Sequence, residues 1–474
     1  MAANAAIFAR NPGSFRDPAN CVYDGAASIL RGVDEKTLKE FRVLHGQPFF
    51  QKLLNAGLVV ESEIVEPGTD TAADRIRAEG WAGVLRHRKI PFITYPYEWS
   101  FSMLKDAALL QLRLIEAAIS HGWTLKDATP YNIQWDGAKP VFIDLPSFEP
   151  REDGAPWVGY RQFCSMFLIP LMMKAHLGID YLPFIRSNIE GISPTEAAKF
   201  FTGFKRFKSG VFSHVILPAK VEESINKRER DRASAQTRKA PKHSLPMVLG
   251  LIQGVIRTVK GLQSPVGHTD WSQYDTTHSY EDVDFAAKKD FVLRNVSQTH
   301  RSSVWDIGCN TGTFSRLCTP HADFIISVDG DHDAIERLYL FERKDNANKI
   351  LPLVMNLANI SPAQGWAGRE RQAFDHRNKP GFVLCLALIH HIRISANIPV
   401  RLFMEWLRSL DCPVVIEFVD RSDEMVKKLL TNRKDVFSDY TLDHFTQTAE
   451  SLFTIRDRQN LKGGDRVIFC LEPK

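Results

Sequence analysis

A buried strand, a glycine turn and the start of a helix follow one another in the stretch VWDIGCNTG, residues 304–312. Gly308 and Gly312 allow a sharp turn and let a ligand approach where a Cβ atom would clash. The helix that we expect to begin near Thr313 presents free N–H groups to polar ligand atoms. The spacing is D-x-G-x-x-x-G, not the G-x-G-x-x-G of dinucleotide-binding folds, and an ordinary glycine turn is the alternative interpretation.

Short apolar runs alternate with helix-compatible stretches around this turn. The runs are SSVWDIG (302–308), ADFIISVDG (322–330), KILPLVMNL (349–357), PGFVLCLALI (380–389) and CPVVIEFV (412–419). Their nearly continuous apolar character is typical of buried parallel strands, and helices are expected over 333–342 and 399–410. Near the end of the chain, Gly463 and Gly464 link two further strands as a hairpin. The pattern predicts a doubly wound α/β sheet that ends in an antiparallel hairpin.

Polar side chains follow two of the predicted strands. Asp329 ends the second strand, where a carboxylate can accept hydrogen bonds from both hydroxyls of a ribose. Asp331 is the alternative for this role, whereas Asp333 is expected in the first turn of the next helix. Asn356 follows the third strand, where its amide could meet an adenine amino group or could equally make a turn.

These features together resemble class I S-adenosylmethionine-dependent methyltransferases over residues 271–473. The resemblance implies a seven-stranded Rossmann-like sheet with S-adenosylmethionine bound over the C-terminal ends of its strands. It implies a cofactor site made of Asp306, Gly308, Asn310, Gly312, Asp329 and Asn356. Trp271 and Tyr274 look like the entry segment that covers the cofactor in such enzymes.

The stretch LCLALIHHI, residues 384–392, is similar to the fourth-strand segment of the same family. His390 and His391 follow this strand, and one of them could act as a general base for an oxygen nucleophile or contact the acceptor. Packing beside the cofactor is the alternative for both. Glu417, at the end of another strand, could bind substrate, orient His390 or serve the structure alone.

The N-terminal half contains LKDATPYN (125–132) followed by KPVFID (139–144). This pattern resembles the catalytic and metal loops of kinase-like phosphotransferases. The resemblance implies that Asp127 orients a hydroxyl nucleophile and that Asn132 and Asp144 hold Mg²⁺ on ATP. The residues before Asp127 differ from the family's pattern, no glycine-rich nucleotide loop occurs in 40–90, and only Arg86, Arg88 and Lys89 are candidates for a phosphate-binding cation. A substrate-recognition domain whose Asp and Asn side chains cap turns is the alternative.

Three segments are predicted along the chain. Residues 1–215 form an N-terminal accessory α+β domain, residues 216–265 a charged linker and helix, and residues 266–474 the methyltransferase domain. The stretch 220–243 is rich in Lys and Arg and has little to bury, which is typical of a solvated helix or linker, with a basic contact patch for an acidic partner as the alternative. The helix at 245–262 can pack on either neighbour, with a membrane surface as the alternative.

Composition excludes several classes of protein. Sixty Lys and Arg residues against 56 Asp and Glu residues give a net charge of +4 on 474 residues, so there is no strong nucleic-acid signal. No apolar run reaches the roughly 18–20 residues of a membrane span, and no secretory signal is evident. Seven scattered cysteines without a C-x-x-C pair predict neither disulfides nor a metal site, which favours a cytoplasmic location.

The sequence therefore predicts a methyltransferase that acts on a small-molecule or glycan acceptor. Its two-part arrangement is similar to methyltransferases that accompany bacterial glycan or nodulation-factor modification, which implies methylation of a hydroxyl group. Two alternatives stay open: a bifunctional protein with an active N-terminal phosphotransferase, and a non-catalytic scaffold that binds the cofactor.

Overall fold

A computed structural model describes residues 8–231, 242–265, 282–345, 349–431, 436–461 and 464–474. The chain divides into two compact units. The first unit comprises Met1–Trp135, Pro140–Pro265 and Gln364–Arg371, and the second comprises Asp136–Lys139, Val266–Ala363 and Gln372–Lys474. Trp271 and Tyr274, which were predicted to cover a cofactor, lie outside the described residues.

The first unit opens with a five-stranded antiparallel sheet in the order β1-β2-β3-β5-β4. Its strands are β1 (Ala9–Arg10), β2 (Asn20–Asp24), β3 (Ser28–Val33), β4 (Ser62–Val65) and β5 (Gly83–Arg88). Its helices are α1 (Glu35–His45), α2 (Pro48–Asn55) and α3 (Thr71–Ala78). Asp34 and Asp70 start α1 and α3, since each carboxylate accepts a hydrogen bond from an otherwise free N–H of the first turn.

Helices dominate the chain after this sheet. The elements are α4 (Phe101–Ser120), β6 (Trp123–Leu125), β7 (Ile133–Asp136), β8 (Lys139–Phe142), β9 (Phe148–Pro150), α5 (Tyr160–Phe163), α6 (Ile169–Leu177), α7 (Leu182–Ser187), α8 (Pro194–Ala197), α9 (Leu217–Asp231) and α10 (Leu245–Gly261). Twelve of the twenty residues of α4 are buried, so this helix forms the centre of the unit's helical core. An antiparallel sheet followed by helices is an α+β arrangement.

The segment predicted as a charged linker and helix, 216–265, groups with the first unit, and its predicted helix is present as α10. Helix α10 packs against α4 because Val248, Ile252, Val255 and Val259 form one buried stripe along it. Lys105 of α4 reinforces this packing by donating from Nζ to the carbonyls at the end of α10. Among the described residues, no helix is both long and apolar enough to cross a bilayer.

The second unit is built on a seven-stranded sheet in the order β12-β11-β10-β13-β14-β16-β15. Its strands are β10 (Arg301–Ile307), β11 (Ala322–Asp329), β12 (Ile350–Val354), β13 (Phe382–Cys385), β14 (Val414–Val419), β15 (Phe453–Asn460) and β16 (Arg466–Pro473). The pairs among β10 to β14 are parallel, whereas β16 runs antiparallel to both of its neighbours. The five predicted strands and the predicted terminal hairpin are all present.

Helices accompany this sheet along the chain. They are α11 (Asp282–Val296), α12 (Thr313–Cys318), α13 (His332–Asp345), α14 (Val400–Ser409), α15 (Glu424–Leu430) and α16 (Leu442–Leu452). The strand order reverses direction between β10 and β13, because β11 and β12 lie on one side and β14 on the other. Sheets of this kind bind ligands at the C-terminal strand ends of such a switch point. The residues that follow β10, β11 and β13 are therefore the candidates for a ligand-binding site.

The second glycine of the turn after β10 yields a stability prediction. Gly312 has a φ of +78°, and a Cβ atom there would lie 2.5 Å from Cδ1 of Leu338, a buried core residue. Gly312→Ala is therefore expected to lower the free energy of unfolding by about 1–3 kcal/mol, through backbone strain and overpacking. Urea denaturation measures this change. Gly464→Ala separates the two causes, since Gly464 has a φ of +75° and nothing within 4 Å. Equal losses in the two variants would contradict the packing argument.

Candidate active site

The turn after β10 is tied to the neighbouring strand β11. Gly308 has a φ of +81°, and the amides of Gly308 and Cys309 both donate to the carbonyl of Val328, at 2.8 and 3.1 Å. The chain then reverses into α12, for which Gly312 is the N-cap residue. A side chain at Gly308 would be strained by this positive φ, which explains the glycine.

Asp329 ends β11 beside this turn. Its Oδ2 accepts a hydrogen bond from the amide of Asn310 and its Oδ1 one from the amide of Asp331, both at 2.9 Å. A carboxylate has about four acceptor positions, so Asp329 keeps capacity for two hydroxyl donors. Burial raises the pKa of Asp329, while the backbone amides oppose that shift by favouring the charged form.

Asp331, the alternative to Asp329, has a different task. Its Oδ1 accepts hydrogen bonds from the amides of Asp333 and Ala334, at 2.8 and 3.3 Å, and it thereby starts α13. Asp333 lies in the first turn of α13, as predicted. The carboxylate that faces the switch point is therefore that of Asp329.

A cavity of about 360 Å³ opens at the C-terminal strand ends. Gly308, Asp329 and Gly330 line it together with Asn356 and His391, and apolar residues complete the wall: Met355, Leu357, Leu388 and Ile392. Its volume lies in the range of small-molecule sites, which bury a ligand among apolar side chains with a few polar groups. Asn356 lines the cavity, and its Oδ1 accepts a hydrogen bond from the amide of Ala358 at 2.9 Å, which is the predicted turn; its contact with an adenine stays a prediction.

Four predicted site residues are not among those that line the cavity: Asp306, Asn310, Gly312 and His390. Asp306 is buried, and its Oδ2 accepts a hydrogen bond from Ser315 at 2.6 Å, while Ser315 also accepts one from Ser327 at 2.8 Å. Burial raises the pKa of Asp306 to about 6, and the Ser315 hydroxyl opposes that shift. These contacts make Asp306 a residue that positions the turn from beneath.

The two histidines follow β13 through a strained bend at Ala387, whose φ is +49°. Their ring centroids are 4.2 Å apart, and only His391 lines the cavity. Burial lowers the pKa of His391 to about 4, and burial together with the neighbouring imidazole lowers the pKa of His390. Both rings are therefore neutral at pH 7.

A buried ion network holds the bend that carries these histidines. Glu417 on β14 accepts hydrogen bonds through Oε2 from Nζ of Lys288 at 2.5 Å and from the amide of Ala387 at 2.9 Å. Its Oε1 accepts from Arg466 at 3.3 Å, and Arg466 also donates to Asp423 at 2.8 Å. Glu417 thus has the structural role. The sequence analysis missed Lys288 and Arg466, although a charged residue inside a buried strand signals that a partner must exist.

The N-terminal constellation is also brought together in the fold. Asn132 donates from Nδ2 to Oδ2 of Asp144 at 3.3 Å, and the charge of Asp144 adds to burial in raising the pKa of Asp127. Arg31 on β3 was not predicted from the sequence. Its Nη1 lies 2.6 Å from Oδ1 of Asp144.

The cations that the sequence suggested for phosphate have other partners. Arg86 pairs with Glu63 and Asp70, and Lys89 donates to the carbonyl of Gly25. Among the described residues, no three metal-ligating side chains gather as a cation site. Binding of Mg²⁺ and ATP by the first unit therefore stays a prediction from the sequence.

All seven cysteines are buried free thiols. Cys309 lies in the turn after β10, and Cys385 is the last residue of β13. Burial raises the pKa of both thiols. A buried protonated thiol packs as a small apolar side chain. The site therefore has no activated thiolate at these two positions.

One relative matches nearly the whole chain, although no protein-family model does. The nodulation protein NoeA of Rhizobium meliloti (strain 1021) is 33% identical over 467 residues, which make up 98% of this chain and 96% of that protein. The chain belongs to the NoeA family. The match to NoeA spans 98% of this chain and therefore includes both compact units.

Solved methyltransferase structures align with part of this NoeA-family chain. The N-methyltransferase NodS from Bradyrhizobium japonicum WM9 covers 41% of it, with 99% of its own length, at 13% identity and a TM-score of 0.30. Magnesium protoporphyrin IX methyltransferase from Synechocystis PCC 6803 covers 44%, with 86% of its own length, at 16% identity and a TM-score of 0.28.

The buried ion network yields a prediction about stability. Glu417→Gln removes the negative charge that compensates Lys288 and Arg466 while keeping the shape of the side chain. Because charges left unpaired in the interior are costly, we expect the free energy of unfolding to fall by about 3–5 kcal/mol, as measured by urea denaturation. Glu405→Gln is the control, since Glu405 forms an exposed pair with Arg401 and should change stability by under about 0.5 kcal/mol. Similar losses in both variants would contradict the role assigned to Glu417.

His391 yields a prediction about pH. Its pKa of about 4 in the folded chain lies below the ordinary value of about 6.5, so the unfolded chain binds the proton first. The stability that neutral His391 contributes is present above about pH 6.5 and is lost as the pH falls toward 4. We expect His391→Gln to reduce the loss of stability between these values by about 1–3 kcal/mol, measured by urea denaturation at a series of pH values. The same substitution at the exposed His376 controls for replacing an imidazole, and an unchanged pH profile for His391→Gln would refute the prediction.

Proposed function

We propose that the second unit binds S-adenosylmethionine at the switch point and transfers its methyl group to an acceptor. One observation carries this proposal: Gly308 and Asp329, predicted separately from the sequence, line the same cavity. A glycine turn that admits a ligand and a carboxylate on the adjacent strand are the two features needed to hold an adenosine.

The residues present suit an adenosyl cofactor. Gly308 and Gly330 line the cavity with backbone alone. A Cβ atom at Gly308 would lie 3.3 Å from Cδ1 of Leu388 and would narrow the cavity. Asp329 can accept both ribose hydroxyls while its existing backbone hydrogen bonds hold it in place. Met355 and Leu357 offer apolar surface to a purine ring, with Asn356 beside them for its polar edge.

The cofactor supplies an electrophilic methyl group on a sulfonium when it is bound. The chain's contribution is positioning, since holding the reactants in line provides much of the acceleration of such a transfer. His391 is neutral and lines the cavity. It therefore does not repel a cationic cofactor, and it has a lone pair that can accept a proton. The buried ion pairs of Glu417 keep the bend before His390 and His391 in position.

We propose a hydroxyl group of a glycan or small metabolite as the acceptor. An oxygen nucleophile needs to lose a proton during transfer, and His391 is the imidazole that lines the cavity where that proton is released. The NoeA relative is named as a nodulation protein, and a glycan acceptor is compatible with that name. The role of the first unit in this proposal is to select the acceptor.

Cofactor binding tests the proposal directly. Isothermal titration of the full chain should detect S-adenosylmethionine and S-adenosylhomocysteine but not NAD. Asp329→Ala should weaken both adenosyl ligands about 10-fold or more, because charged hydrogen bonds are lost. Asp323→Ala, on the same strand but exposed, is the matched control and should bind as the wild type does. Unchanged affinity in Asp329→Ala would defeat the assignment of the ribose site.

Methyl transfer is tested with the label in the cofactor. The full chain, S-adenosylmethionine labelled in its methyl group and free oligosaccharides are incubated together, and label is counted in the carbohydrate fraction. We expect label with the wild type and its loss with Asp329→Ala. His391→Asn should lower the rate about 10²-fold or more while leaving cofactor affinity nearly unchanged. Binding of the cofactor without transfer to any hydroxyl acceptor would favour the non-catalytic scaffold.

A further inference from the structure

The first unit exposes an aromatic loop between α8 and α9. Every residue from Thr202 to Ser209 is exposed, in the sequence TGFKRFKS. Phe204 is 93% exposed and Phe207 is 76% exposed, the two highest values among the exposed large apolar side chains of the described residues. Single apolar residues at a surface are ordinary, but two almost fully exposed phenylalanines on one loop call for a partner. We call residues 202–209 the aromatic loop.

The aromatic loop has a fixed base and an exposed tip. Phe201 and Val211, on either side of it, are fully buried. Within the loop, the amide of Lys205 donates to the carbonyl of Thr202 and the amide of Lys208 to that of Lys205, which forms a short 3₁₀ turn. The exposure of the two phenylalanines is therefore built into the backbone.

The charge along the chain between Glu196 and Glu222 has one sign. From residue 197 to residue 221 the sequence contains no Asp or Glu, while it contains the basic residues Lys199, Lys205, Arg206, Lys208 and Lys220. Lys205, Arg206 and Lys208 alternate with the phenylalanines and are exposed. The chain as a whole is nearly balanced, with a net charge of +4, so this segment concentrates positive charge. Its partner should therefore be anionic.

The apolar surface continues into α9. Phe212 and Leu217 are each 49% exposed and Val221 is 50% exposed. Leu217 and Val221 are four residues apart on the helix, so they lie on the same face of it. Exposed apolar side chains thus extend from the aromatic loop to the first turns of the next helix.

We propose that the aromatic loop docks on the surface of an anionic lipid bilayer. Two phenylalanines on a projecting turn can insert into the interface, where apolar and aromatic side chains gain burial, while lysine and arginine contact lipid phosphates. A fluid surface suits a projecting tip because it needs no preformed pocket, whereas a protein partner needs one matched to both rings. This inference is independent of the proposed methyl transfer, since the loop and the cavity belong to different units.

Sedimentation with vesicles tests this proposal on the full chain. We expect the protein to bind vesicles of equal parts phosphatidylcholine and phosphatidylglycerol at least about 10-fold more tightly than vesicles of phosphatidylcholine alone, with loss of this preference at high salt. The double variant Phe204→Ser/Phe207→Ser should lower the affinity for the mixed vesicles by about 10-fold or more. The double variant Lys205→Glu/Arg206→Glu should lower it at least as much.

Two control variants separate the loop from general surface effects. Val158→Ser removes another exposed apolar side chain, which is 67% exposed, and Lys427→Glu/Lys428→Glu makes the same charge change on α15 of the second unit. Both should bind mixed vesicles as the wild type does. The thermal unfolding midpoint should be unchanged in every variant, which shows that each is folded. No binding to mixed vesicles, or equal binding by the loop variants and the controls, would overturn the proposal. Binding of a soluble acidic polypeptide with no binding of vesicles would also overturn it.

Discussion

The carboxylate of Asp329 accepts the amide of Asn310, and this hydrogen bond joins the glycine turn after β10 to the end of β11. The amides of Gly308 and Cys309 make the same connection in the other direction, through the carbonyl of Val328. The candidate site exists because these bonds hold two neighbouring strand ends in one geometry. The polar residues that could grip an adenosine are therefore part of the backbone framework of the turn.

Buried charged residues hold the turn after β10 and the bend at Ala387 in place. Asp306 supports the turn from below through Ser315, and Glu417 fixes the bend at Ala387 by accepting its amide while paired with Lys288. Such buried charges are stable only when every partner is present. The free-energy cost of burying these charges is consistent with a site whose geometry must stay fixed. The positive φ angles of Ala387 and Asn310 indicate that the backbone of the site is also held in a strained conformation.

The second unit could be predicted from the sequence because its signals are local. Unbroken apolar runs fix the parallel strands, and the positive φ of Gly308 and Gly312 explains why glycines stand there. The placement of each polar residue could not be predicted in the same way. Whether Asp306 faces the cavity or the core depends on Ser315 and Ser327, which come from other elements, and the pairing of Glu417 with Lys288 joins residues 129 positions apart. Contacts of that kind leave no periodic pattern in a single sequence.

The first unit shows the same limit more strongly. The sequence predicts α10 as part of a linker, because nothing in it shows that the apolar stripe of this helix is covered by α4. Arg31 pairs with Asp144 although 113 residues separate them, so the cation beside Asp127 and Asn132 could not be found from motif spacing. The aromatic loop, in contrast, is visible in the sequence as phenylalanine alternating with lysine and arginine, but its exposure depends on the buried residues at its base.

A crystal structure of the full chain with S-adenosylhomocysteine tests the proposed site most directly. We expect the ribose hydroxyls within hydrogen-bonding distance of the Asp329 carboxylate, the amino-acid part beside the turn at Gly308, and His391 facing the sulfur side of the ligand. Ligand bound elsewhere, or bound in the cavity with its ribose remote from Asp329, would contradict it.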